Sequence, residues 1–138
     1  KQELLQGKHS LDTSGNGGDT FKLAMFTSSA SLGAATTAYS TSNEVSGTGY
    51  SAGGTALTNT GVGLTSTTAF TDFSDVSFTS ASFTANGCLI YNTTTAGGSG
   101  TTNAVCVIAF GGDKTVSSGT FTIQFPTNDS SSAIIRLT

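Results

Sequence analysis

One histidine, eight acidic residues and two cysteines are the side chains in this 138-residue chain best suited to chemistry. His9 lies in the polar run Lys8-His9-Ser10. A Ser-His-Asp relay would have to use it, since no second imidazole exists to take a proton from serine. The chain holds 20 Ser, so some hydroxyl is bound to lie near some acid, and no GxSxG elbow singles one out. His9 is expected to be a solvated loop histidine. Asp72, Asp75 and Asp113 raise the paired-carboxylate chemistry of glycosidases, which sets two acids across an aromatic cleft. Asp72 and Asp75 are close neighbours in a Phe-rich stretch, Asp113 belongs to the turn-like GGDK, and no Trp exists to stack on a sugar. No catalytic residue is assigned.

Metal chemistry is weakly signalled. Asp12, Ser14 and Asn16 take the first, third and fifth positions of an EF-hand calcium loop, and Gly17 takes the sixth. The twelfth position, where a bidentate acid belongs, is Leu23. An Asx-rich turn is the expectation, with Asp12 and Asp19 holding Ca²⁺ in a β-loop as the alternative. Cys88 and Cys106 lack the further His or Cys that zinc needs. Their midpoint falls in the Gly-Gly-Ser-Gly run at 97–100, so a symmetric hairpin would place them opposite each other, within reach of a disulfide. Reduced thiols in apolar strands are the favoured reading. No metal and no cofactor are expected. Gly47-Thr48-Gly49 and Gly97 to Gly100 are turns that open no helix, so neither cradles phosphate. Asn92-Thr-Thr and Asn128-Asp-Ser match glycosylation sequons, which arise often by chance in a chain this rich in Thr.

The elements that carry these residues read as strands. Ser, Thr and Gly make up 64 of 138 residues, and charged residues only 9%, against about 25% in an average soluble domain. Nine Phe and many aliphatics nevertheless cluster, and clusters can bury enough surface to offset ordering entropy. Thr20–Thr27 alternates, with Phe21, Leu23 and Met25 on one face. Tyr50–Asn59 is a strand weakened by Gly53 and Gly54. Residues 69–75 read as a loop or short strand and 75–84 as a strand. Cys88–Tyr91 and Ala104–Phe110 read as strands buried on both faces, joined by a hairpin loop. Thr120–Phe125 turns Phe121, Ile123 and Phe125 inward until Pro126 ends it, and Ala133–Thr138 closes the chain. Residues 28–49 form a long excursion with at most a helical turn at Ala34–Ala38, and Lys1–Gly7 suits a short helix.

Seven to nine short strands predict an all-β fold: an antiparallel β-sandwich, jelly-roll-like, with a short N-terminal helix or arm. Residues 1–19 form the arm and loop, and residues 20–138 the sandwich domain. Five Lys and Arg against eight Asp and Glu give net charge −3 and no basic footprint for nucleic acid. No apolar run approaches a membrane span. No signal peptide is visible, and Lys1 in place of Met leaves a trimmed or partial start, and a leader, open.

Four segments together carry a resemblance: KQELLQGKH, TFKLAMFTSSASLGAATTAYSTSNEVSGTGYSAGG, TAFTDFSDVSF and TFTIQFPTNDSSSAIIRL. In this order, over nearly the whole chain, they resemble small structural proteins of tailed bacteriophages, including marine and cyanobacterial phages. Some members of that family look like capsid cement or decoration proteins. A few residues usually precede the KxELLxG segment there. The resemblance implies a non-enzymatic virion protein on the outer capsid surface, assembled in the bacterial cytoplasm. It implies a homotrimer bridging major capsid subunits, with partners limited to the major capsid protein and itself. Low charge suits such packing, since clustered copies repel weakly, and repeated modest contacts add by avidity.

Two regions are candidate interfaces. Leu4 and Leu5 offer an apolar pair to the capsid or a sister subunit, or else pack on their own domain. In the excursion over 28–56, Tyr39 and Tyr50 could anchor an interface; an ordinary surface loop is the plainer reading. A phage tail, fibre or receptor-binding module is the chief rival, separable by copy number per virion. A carbohydrate-binding module or glycan hydrolase, and a secreted adhesin subunit stapled by Cys88–Cys106, follow.

Overall fold

Apolar alternation is the force that sets the first strand. In the computed structural model, which describes residues 2–13, 18–94 and 101–138, β1 runs Phe21–Phe26. Its odd-numbered positions Phe21, Leu23 and Met25 enter the main core. Ala24 and Phe26 on the reverse face join a second cluster with Leu89 and Tyr91. Both faces are therefore dry, which fits a central strand. The remaining elements are a one-turn helix α1 (Gln2–Leu5), β2 (Thr55–Leu57), β3 (Asn59–Thr65), β4 (Thr68–Phe73), β5 (Val76–Asn92), β6 (Ala104–Ile123) and β7 (Ile135–Leu137).

The strands form two antiparallel sheets, β2-β1-β5-β6 and β3-β4-β7. This is an all-β antiparallel sandwich with a short N-terminal helix. The sheets meet through rings: Phe21 of β1 lies edge-on to Phe73 of β4, with centroids 5.7 Å apart. Within the four-stranded sheet, Phe78 and Phe83 of β5 form an edge-to-face pair at 6.0 Å. Each such ring contributes about 1.5–3 kcal/mol by leaving water, plus about 0.5–1.5 kcal/mol from ring geometry.

Several expectations from the sequence need correction. The strand expected at 75–84 and the one at Cys88–Tyr91 are one 17-residue strand, β5. The 20-residue β6 likewise fuses Ala104–Phe110 with Thr120–Ile123. The intervening GGDK is no chain reversal but a bulge. Ala85 pairs with Lys114 and Gly87 with Ala109, so Phe110–Asp113 all face Asn86 alone. Gly111 and Gly112 take φ of 72° and 142° there, conformations open chiefly to glycine. Ala104–Phe110 is not buried on both faces. β6 is an edge strand, and its residues stay half-exposed. The strand expected at Tyr50–Asn59 shrinks to β2, while β3 arises in NTGVGLT, where low hydrophobicity hid it. At 33–36 the chain makes a single turn, closed by Thr36 N–H on the Gly33 carbonyl, with no helix.

The excursion is an outer cover on the four-stranded sheet. Ala30, Leu32 and Tyr39 pack on the reverse-face cluster of β1 and β5. Its middle pairs with the start of β6 through Tyr39 N–H to the Thr102 carbonyl and Ala104 N–H to the Thr37 carbonyl.

Candidate functional site

Glu44 organises the excursion. It is the one charged residue between Lys22 and Asp72. Its Oε1 accepts from the Tyr50 hydroxyl at 2.6 Å and Gly53 N–H at 2.8 Å, and its Oε2 accepts from the Tyr39 hydroxyl at 2.7 Å. Tyr39 stacks on Tyr91, with centroids 4.4 Å apart and planes 9° from parallel. Tyr91 donates to the Gly53 carbonyl at 2.7 Å. Tyr50 leans on Phe78 and Phe83, and its oxygen accepts from Met25 N–H at 2.9 Å. Burial, then the hydrogen bond to Glu44, pushes both tyrosines' ionisation well above the usual range. Tyr39 and Tyr50 thus anchor the excursion to its own sheet, with their hydroxyls turned inward on Glu44. Sequence reading picked out the two tyrosines and missed the glutamate. Its isolation in an uncharged stretch was the available signal.

His9 is not solvated: it is 8% exposed. Asn92 Nδ2 reaches both Asp19 Oδ2 at 2.6 Å and His9 Nδ1 at 3.2 Å, and Asn92 Oδ1 accepts from Thr94 N–H. These contacts turn the amide N–H toward Nδ1, leaving Nε2–H to donate to Glu3 Oε2 at 3.1 Å. Glu3 also takes Asn103 Nδ2 at 2.9 Å. The imidazole is a rivet between arm and sheet, with both nitrogens engaged. Asn92, the first sequon asparagine, is fully buried in the same network.

The acids serve the backbone. Asp72, with no exposure, accepts from Phe73 N–H at 2.8 Å and Ile134 N–H at 3.1 Å. Asp75 accepts from Phe125 N–H, and Asp113 from Asn86 Nδ2, both at 2.8 Å. None faces another across a cleft as an acid pair. Asp19 accepts from Ser10 N–H at 2.8 Å; Ser14, Asn16 and Gly17 of the calcium-loop-like run lie outside the described residues. Among the described residues no cluster of three His, Cys, Asp or Glu is placed to hold a metal, and no helix is long and apolar enough to cross a membrane.

Cys88 and Cys106 are free thiols. Cys88 faces Ile108 and Cys106 faces Ile90, so they sit on a diagonal instead of directly opposite. Diagonal neighbours lie about 7–8 Å apart, beyond the usual disulfide span of ~4.4–6.8 Å. Burial pushes Cys88 up to about 12 and Cys106 to about 11.

The surface carries the rest. Leu4 is half-buried, while Leu5 on the same turn is 86% exposed. At the far end of the small sheet, Leu64 and Leu137 flank Ala69 in one register row. Leu64 is 71% exposed, Leu137 53%, and Val62 two rows further in 59%. Sequence reading named Leu4 and Leu5 and missed this apolar sheet end, because β3 itself was missed. No protein-family model, curated protein or solved structure matches the chain.

Proposed function

We propose that this protein is a structural component of a bacteriophage virion. In this reading it is a cement or decoration protein, seated as a homotrimer on the outer capsid surface and bridging major capsid subunits. The observation that carries the reading is the pairing of an all-β sandwich, only 9% charged, with large exposed aliphatics at two separate places, Leu5 and the Val62–Leu64–Leu137 sheet end. Each patch is small against the ~800 Å² per partner of a stable protein pair. Small apolar contacts suit a protein that gains its hold by repetition over a symmetric shell. The imidazole of His9 and the carboxylates of Glu3, Glu44, Asp72 and Asp75 support the same reading, because each is tied to the fold by hydrogen bonds. The sequence resemblance to phage structural proteins points the same way.

A virion electron-microscopy map with quantified copy number tests the proposal. Hundreds of copies at three-fold and local three-fold positions are expected. Tens of copies at the tail would replace it with the fibre reading. Native mass measurement of purified protein should show a trimer, and a strict monomer at micromolar concentration would count against cement.

A further inference from the structure

The four-stranded sheet is one strand wider than the sheet it faces. The surplus falls on β6. Its inward residues Ile108, Phe110 and Phe121 reach the core but stay partly open, whereas their neighbours Cys88 and Phe83 on β5 are buried. The gap is a cleft of about 360 Å³, closed on its other side by Phe125 and Ile134. That volume lies within the range of small-ligand sites, about 300–1,000 Å³.

One charged side chain lines this cleft, Lys114. Lys114 pairs with Ala85, and Val116 two residues on pairs with Phe83. Ala85 and Phe83 are both buried in the core, so Lys114 starts from the core-facing side of β6, while the side chain as a whole is exposed. The ion pairs among the described residues are Lys8–Glu3 and His9–Glu3, and Lys114 joins neither. An apolar slot with a single unneutralised cation complements one kind of molecule: an apolar chain with one negative end.

We infer that this cleft binds a hydrophobic monocarboxylate of the medium-chain fatty-acid type, the chain among the Phe and Ile side chains and the carboxylate on the Lys114 ammonium. The ligand is a free molecule and not a bilayer lipid. The slot is walled by β6, the Gln124–Pro126 segment that follows it and Ile134, and a net charge of −3 opposes adsorption to an anionic membrane surface. The inference is independent of the virion reading.

Amide-resolved NMR titration of the intact protein with decanoate, decanol and decyltrimethylammonium tests it, alongside Lys114→Met. Lys114 is exposed, so the variant keeps the fold, and the same spectra verify that. Decanoate should give saturable shifts centred on Ile108, Phe110, Phe121 and Ile134. Lys114→Met should weaken decanoate up to about fivefold, the reach of a partly exposed ion pair, and leave decanol unchanged. An inward lysine on an edge strand also deters strand pairing. Were that its whole role, Lys114→Met would bind decanoate as tightly as the parent, which overturns the inference. Absence of saturable shifts at the cleft, equal or tighter binding of decyltrimethylammonium, or stronger perturbation of these amides by phosphatidylglycerol vesicles than by free decanoate would overturn it too.

Discussion

At Asp72 a carboxylate without solvent exposure accepts from two backbone amides, those of Phe73 and Ile134. It ties β4 to the segment entering β7. Asp72→Ala leaves both donors without an acceptor, and each orphaned donor costs about 1–3 kcal/mol. A loss of about 3 kcal/mol is expected, read as a lower urea midpoint at constant slope. Asp72→Asn keeps one acceptor oxygen and should lose less.

The thiols and tyrosines set an alkaline limit. Burial, reinforced by neighbouring negative groups, raises Cys88 from 9.0 to about 12 and Cys106 from 9.0 to about 11. Burial and Glu44 likewise raise Tyr39 and Tyr50 above 10.0. The fold holds these protons longer than the unfolded chain does. Their stabilising contribution is complete below about pH 9 and falls as pH rises through the thiol range and then the tyrosine range. Thermal midpoints measured from about pH 8 to 11 should decline from near pH 9 upward. A flat profile would remove this account. Ellman's reagent should consume neither thiol in the native protein within minutes and both on unfolding.

At the scale of elements, the excursion over 28–56 hangs on one carboxylate. Glu44→Gln exchanges a charged acceptor of three hydrogen bonds for a neutral amide, one end of which is a donor. A loss of about 1–3 kcal/mol is expected, with faster amide exchange at Tyr39 and Thr102–Ala104, where the excursion pairs with β6. Gly54 fixes where the excursion re-enters the sheet. Its φ is +69°, and an added Cβ would fall 1.8 Å from the Leu23 carbonyl oxygen. Gly54→Ala should therefore detach β2 from β1 and lower the thermal midpoint, while Gly33→Ala, with open space around it, should not.

These elements also show what a sequence can disclose. β1 was legible because its alternation is apolar enough to outweigh everything local. β6 was half legible, since Ala104–Phe110 and Thr120–Phe125 announce strands. Yet Gly111-Gly112-Asp113 signals reversal locally, and only pairing with β5 turns it into a bulge. β3 was illegible because Val62 and Leu64 are exposed and its glycines weaken it. His9 looked like a loop residue because its burial depends on Asn92 and Glu3, 83 and 6 residues away. Tyr39 and Tyr50 were expected as interface anchors; that their hydroxyls bond Glu44 and tie the excursion to its own sheet depends on the fold and is not written in their local sequence.

For the whole molecule, the apolar sheet end is the part available to others. Leu64→Ser with Leu137→Ser should change stability by no more than about 0.5 kcal/mol per site, as exposed positions do. If the proposed capsid role holds, the same variant should also reduce retention on purified phage capsids in co-sedimentation. Unchanged retention would assign the contact elsewhere, with Leu5→Ser the next variant to sediment. The order of pairing has a further result. β1 lies in the middle of its sheet, yet both its partners, Thr55–Leu57 and Gly87–Asn92, are downstream. On the ribosome, Phe21–Phe26 must wait for roughly sixty more residues before β5 begins to pair with it, about 3–12 s of translation. Until then the edge of Phe21–Phe26 that β5 will cover stays unpaired, even after Thr55–Leu57 takes the other edge. Rapid synthesis or a chaperone stationed at the exit tunnel should accordingly govern how much soluble product a cell obtains.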